Sequence, residues 1–127
     1  MKMVIRILAL MFMGVAMGMA TEIVDVSAKQ AAALLKSKNP PQVIDVRTKG
    51  EHGSGHLKNA VVIDVKDKGF EAQLAKLDKK KPYLVHCRSG GRSGKAMAVF
   101  KKLGFEKIYH MNKGMLSWEK EGLPVEK

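Results

Sequence analysis

Past residue 20 the chain alternates between short runs of apolar residues and longer stretches in which apolar positions recur every three or four. The first pattern is that of a buried strand and the second that of an amphipathic helix, so their alternation predicts an α/β domain. The expected strands are Ile23 to Val26, Gln42 to Val46, Val61 to Val65, Tyr83 to His86 and Lys107 to His110, each followed by polar or glycine-rich residues. Ser27 with Gln30 three residues on is the signature of a capping box. It opens a helix whose apolar face is Ala28, Ala31, Ala32 and Leu35, and Pro40 and Pro41 follow its end. Phe70, Leu74 and Leu77 share one helical face. Ala96, Val99, Phe100 and Leu103 keep the helical spacing without a miss, and Gly104 supplies a left-handed stop. A last helix is expected over Lys113 to Glu121, with Trp118 as its core anchor and Gly122 and Pro124 at its end.

The first twenty residues read differently. Lys2 and Arg6 appear without any acidic residue, and a nearly unbroken apolar run from Ile7 to Ala20 ends in small residues. That layout predicts a secretory signal cleaved after Ala20. The run is shorter than the ~20 apolar residues that cross a bilayer, so a permanent membrane tether is the weaker alternative. The expected division is an export segment, residues 1–20, and one domain, residues 21–127, delivered to the periplasm or cell surface. Six of the nine methionines lie in the export segment, which removes any ground for a methionine-rich metal site.

Charge narrows the partners. The chain carries 23 Lys plus Arg against 12 Asp plus Glu, a net +11, of which +9 belongs to residues 21–127. Such a domain attracts anions, although scattered lysines also serve simply to solvate a surface. Aromatic residues are too few and too dispersed for a nucleic-acid stacking platform, so no nucleic-acid partner is expected. Weak association with an anionic membrane surface is compatible with the charge, and a monomer is the expected state. Cys87 is the one cysteine, which excludes an intramolecular disulfide and any site of several thiolates. The four histidines are scattered along the chain without further ligand residues at metal-site spacing, so neither a metal nor another cofactor is expected.

A lone cysteine is ordinarily a small buried hydrophobe, but the neighbours of Cys87 argue otherwise. The stretch His86-Cys87-Arg88-Ser89-Gly90-Gly91-Arg92-Ser93-Gly94 lies between an expected strand and an expected helix. Adjacent glycines let a backbone curl so that successive N–H groups point inward, and a helix starting near Arg92 adds the positive end of its dipole. Cys87 at the foot of that cradle is favoured as the thiolate, because such a setting lowers a cysteine pKa. A thiolate in a positive pocket attacks anionic electrophiles that would be repelled elsewhere. Cysteine-dependent phosphatases need a loop one residue longer between cysteine and arginine to wrap a tetrahedral phosphoryl group, so the shorter spacing from Cys87 to Arg92 disfavours a phosphatase or arsenate reductase.

This tighter loop is similar to that of the rhodanese family of sulfurtransferases, and the resemblance extends along most of residues 21–127. Ile44-Asp45-Val46-Arg47 with Glu51, then Gly55-His56-Leu57 and Ala60, resembles the family's first signature. Gly114, Trp118 and Gly122-Leu123-Pro124-Val125 resemble its closing segment. His52 stands where an aromatic residue is usual, Asn59 where glycine is common, and Lys113 in place of the first of a glycine pair.

The resemblance implies a three-layer domain with a central, mainly parallel sheet flanked by helices. It also implies a two-step transfer of sulfane sulfur from thiosulfate or a similar small sulfur anion, through a Cys87 persulfide, to a thiophilic acceptor: cyanide, a thiol or a partner protein. Arg88, Ser89, Gly90, Gly91, Arg92 and Ser93 are the expected substrate-binding residues, with Arg92 facing the sulfonate end of the donor. Asp45, Arg47, Glu51 and His56 are expected to support the site structurally, Arg47 pairing with Glu51, Asp45 holding loop backbone and His56 fixing a turn. His86 is expected to be a packed strand residue rather than a base, and His52 and His110 to be at the surface or partly buried. A persulfide carrier without turnover, or an anion-binding module, is the alternative from a different functional class.

Overall fold

The computed structural model describes residues 20–127, and nearly all of the expected export segment lies outside the described residues. Five strands, β1 (Glu22–Val26), β2 (Gln42–Asp45), β3 (Val61–Val62), β4 (Tyr83–His86) and β5 (Lys107–Met111), form one parallel sheet in the order β1-β5-β4-β2-β3. The helices are α1 (Ala28–Leu35), α2 (Lys49–Ser54), α3 (Phe70–Ala75), α4 (Gly91–Leu103) and α5 (Gly114–Lys120).

Strand alternation sorts the core into two layers. Ile44, Tyr83, Val85 and Ile108 face one side, where Phe70 and Leu74 of α3 and Ala96, Met97 and Phe100 of α4 cover them. Val43, Leu84 and Met111 face the other, against Ala28 and Ala31 of α1 and Met115 and Trp118 of α5. β4 is buried along its whole length, which explains its lack of polar alternation. Because all the strands run the same way, their C-terminal ends gather at one pole, the usual place for a ligand in such a sheet.

The local signals act as expected. Ser27 and Gln30 form the reciprocal capping box of α1, and Gly104 closes α4 at φ 80°. β3 is shorter than the apolar run Val61–Val65. Asp64 accepts from the Lys66 amide and its carbonyl from the Asp67 amide, so a side-chain-capped turn bends the chain away after two ladder residues. α2 was not foreseen, although Thr48 and Glu51 form a complete capping box. Gly50 and Gly53 conceal it by lowering its helix propensity. Asn59 holds φ 61°, a left-handed position that asparagine tolerates where glycine is common. Lys113 sits at an ordinary φ of −98°, so no glycine is needed there.

Candidate active site

The chain leaves the sheet at Cys87, immediately after β4, turns through Arg88, Ser89 and Gly90, and enters α4 at Gly91. Gly90 makes the turn possible. Its φ is 108°, and a Cβ there would collide with the carbonyl oxygen of Asn112. The other wall of the loop is the first turn of α5, whose Met115 and Leu116 amides donate to the carbonyls of Cys87 and Arg88, both at 3.0 Å. Gly114 permits this approach, since a Cβ there would strike the Arg88 carbonyl. With its carbonyls tied outward, the loop turns donors inward: the Cys87 sulfur accepts from the Gly90 amide at 3.1 Å and the Ser93 hydroxyl at 3.3 Å.

Cys87 is 1% exposed. Burial pushes its thiol up, but the Ser93 hydroxyl and amide together with the Gly90 and Ser89 amides outweigh it and hold the thiol below its ordinary value. Ionisation of the sulfur is thereby eased by hydrogen bonds rather than by an adjacent base. His86 does not act as that base. It is fully buried, its Nδ1 donates to the Cys87 carbonyl at 2.9 Å, and burial lowers its pKa against the opposing pull of Asp45, so the imidazole is neutral.

The arginines pair differently from expectation. Arg47 does not pair with Glu51; it binds both oxygens of Asp45, with Nη2 at 2.7 Å from Oδ2, and donates to the Gly55 carbonyl at 2.7 Å. Asp45 lies two residues before Arg47 on the same buried turn, closer than any other carboxylate. Glu51 instead takes both terminal nitrogens of Arg92, at 2.7 and 2.8 Å. Arg92, expected to face the donor's sulfonate, thus has its charge matched from within the protein. The Arg92 guanidinium brings the Glu51 carboxyl down to about 2. Asp45 is also lowered: burial opposes this, but the hydrogen bonds from the Arg47 side chain and amide and from His52 prevail. His52, in the usual aromatic position, contacts Asp45 at 3.0 Å and stacks flat on His56 with ring centroids 4.1 Å apart. His56 donates from Nδ1 to the Leu57 carbonyl, and its backbone bridges to Glu126, which secures the turn.

His110, expected at the surface or partly buried, is instead buried on β5 at 6% exposure, and its Nε2 lies 2.7 Å from the Ser93 hydroxyl. The strand period contained the signal, because Ile108 and position 110 share the face toward α4. Beside the loop a cavity of about 210 Å³ is lined by Arg47, Glu51, Ser54, Arg88, Met115 and Glu119. Arg88 is exposed at its edge and offers a positive charge where Arg47 and Arg92 are already matched.

Comparison with known proteins places this geometry. Residues 27–121 match the Rhodanese-like domain. The chain is 32% identical to thiosulfate sulfurtransferase 18 of Arabidopsis thaliana, over 84% of its own length and 85% of that protein's. It is 34% identical to the tRNA uridine(34) hydroxylase of Cytophaga hutchinsonii over 66% of its length, but spans only 28% of that protein. Among solved structures, the polysulfide-sulfur transferase homodimer of Wolinella succinogenes superposes with a TM-score of 0.67 at 34% identity, covering 82% of this chain and 78% of that one. A parallel sheet that delivers one cysteine into a donor-lined loop, and a family match across that whole unit, establish that the chain belongs to the rhodanese-like sulfurtransferase family.

Proposed function

We propose that the protein transfers sulfane sulfur from thiosulfate, or a similar small sulfur anion, to a thiophilic acceptor through a Cys87 persulfide. The observation that carries this reading is the Cys87 sulfur itself, buried yet receiving hydrogen bonds from the Gly90 amide and the Ser93 hydroxyl in a loop with four residues between Cys87 and Arg92. A sulfur only 1% exposed in so short a loop suits an electrophile ending in a single atom, as the outer sulfur of thiosulfate does. In the first step the thiolate bonds to that outer sulfur, the donor's sulfur–sulfur bond breaks, and sulfite departs with the electron pair. In the second the acceptor bonds to the outer sulfur of the persulfide and the Cys87 thiolate leaves. With Cys87 ionised and cyanide or a thiolate as the acceptor, no proton is abstracted in either step and the site needs no general base.

Residues 1–20 are read as the export segment that delivers the domain to the periplasm, where small anions and thiols are the expected reactants. The test is the intact mass of the purified, reduced protein after incubation with thiosulfate and removal of excess donor. One added sulfur, absent from Cys87→Ser and lost on addition of cyanide, is the expected result. A folded protein that gains no sulfur overturns the reading.

A further inference from the structure

Ser93 stands among three groups that want its one hydroxyl hydrogen. Its Oγ lies 3.3 Å from the Cys87 sulfur, 3.3 Å from the Gly90 carbonyl and 2.7 Å from Nε2 of His110. On its far side the His110 ring presents Nδ1 to Asp25 at 3.4 Å, an arrangement set by the β1–β5 register that pairs Asp25 with His110. Ser93 is fully buried and His110 nearly so, so no bulk water arbitrates between the partners.

We infer that His110 is a positioning residue for Cys87, acting through Ser93: the hydrogen on its Nε2 decides whether the serine hydroxyl is given to the cysteine sulfur. When Nε2 carries a hydrogen it donates to the Ser93 oxygen, and the Ser93 hydrogen goes to the thiolate, whose charge makes it a better acceptor than the Gly90 carbonyl. When Nε2 is bare it is the nearest acceptor. Ser93 then turns to it, and the sulfur keeps only the Gly90 amide.

The ring proton is contested by the groups that face His110. From β1 comes the Asp25 carboxylate, which favours a hydrogen on Nδ1. From β4 comes Cys87, through Ser93, while the register partner Val85 is uncharged. From α4 come the hydroxyl of Ser93 and the backbone of Gly94, neither charged. With the ring protonated, Nδ1 serves Asp25 and Nε2 serves Ser93, and the sulfur holds both donors. Once the ring loses a proton, Asp25 holds the remaining one at Nδ1 and the sulfur loses its hydroxyl donor. Burial lowers the His110 pKa and Asp25 opposes that, so the change falls on the acid side of the ordinary histidine range. For sulfur transfer the consequence rests on the function proposed above: the sulfur with both donors is the state below the His110 step, where the hydroxyl stabilises the thiolate as it leaves the persulfide, and above that step the Gly90 amide does so alone.

The experiment reads the sulfur directly and does not depend on sulfur transfer. The alkylation rate of Cys87 by iodoacetamide and its thiolate ultraviolet absorbance are followed against pH in the wild type and in Asp25→Asn, Ser93→Ala and His110→Gln. The wild type is expected to show two ionisation steps, one from His110 and one from Cys87. His110→Gln, whose amide nitrogen donates in the place of Nε2 but does not titrate, keeps the Cys87 step low and loses the His110 step. Ser93→Ala also loses the His110 step, and its thiolate fraction below the Cys87 pKa falls on the order of tenfold. Asp25→Asn, a substitution at an exposed position, shifts the His110 step to lower pH. A single step in the wild type, an unmoved step in Asp25→Asn, or two steps surviving in Ser93→Ala overturns the inference. Because the readout is alkylation, these outcomes are independent of whether thiosulfate loads a sulfur onto Cys87.

Discussion

Glu51 and Arg92, 41 residues apart in the chain, meet in a two-pronged pair at 2.7 and 2.8 Å that locks the start of α4 to the start of α2. Because Glu51 also closes the Thr48 capping box, one carboxylate couples the first family signature to the cysteine loop. Arg92 therefore acts on the shape of the loop more than on the capture of the donor. Lysine cannot reproduce the planar fork, so Arg92→Lys is expected to slow persulfide formation about tenfold at saturating donor. Glu51→Gln should cost about as much, and the double variant little more than either single one. Pre-steady-state persulfide formation on the four proteins checks this, and simple additivity of the two losses would show that the pair does not act as a unit.

Donor capture is expected to fall instead to Arg88, whose side chain is exposed at the cavity edge while Asp45 and Glu51 offset the other two arginines. Arg88→Ala should raise the KM for an anionic donor roughly threefold to tenfold and leave kcat nearly unchanged, an effect that shrinks as added salt screens the exposed charge. Steady-state kinetics with thiosulfate at low and high ionic strength decides the point. A fall in kcat at constant KM would place Arg88 in the chemical step.

Acid should loosen the same region. The folded-state pKa of Glu51, about 2, lies below the ordinary 4.5, so its contribution is fully present above about pH 4.5 and disappears as pH falls toward 2. Asp45 is displaced in the same direction. With Glu51 partly exposed, solvent screening reduces its share to about 1 kcal/mol. Denaturant midpoints measured through this window should fall more steeply for the wild type than for Glu51→Gln, and parallel curves would refute the assignment.

The three layers came with the family resemblance, while sequence period and spacing carried the five strands, every helix but α2 and the position of Cys87 at a strand-to-helix turn. Those features rest on local signals: Ile44 and Val85 declare buried strands by their neighbours, Ser27 caps α1, and the cysteine-to-arginine spacing shortens the loop. What could not be read was pairing over distance. Arg47 and Glu51 are four apart, an attractive local pair, yet Asp45 sits on the buried turn with Arg47 and Arg92 arrives from another helix. The burial of His110 was not legible for the same reason, since its partners Asp25 and Ser93 are brought to it by strand order and not by sequence neighbourhood.

Gly90 and Gly91 look equivalent in sequence, but the fold separates them. Gly90 holds φ 108° and leaves no room for a Cβ beside the Asn112 carbonyl, whereas Gly91 begins α4 with nothing within 4 Å of a Cβ. Gly90→Ala should therefore destabilise the protein by about 2–4 kcal/mol, combining left-handed strain with a backbone collision. It should also raise the Cys87 pKa, because the amide that donates to the sulfur belongs to the displaced residue. Gly91→Ala should be neutral or add up to about 1 kcal/mol, since alanine restricts the unfolded chain and suits a helix. Thermal unfolding and the pH dependence of thiolate absorbance for the two variants test the contrast. Equal loss in both would mean that the loop depends on flexibility across the glycine pair rather than on the one turn at Gly90.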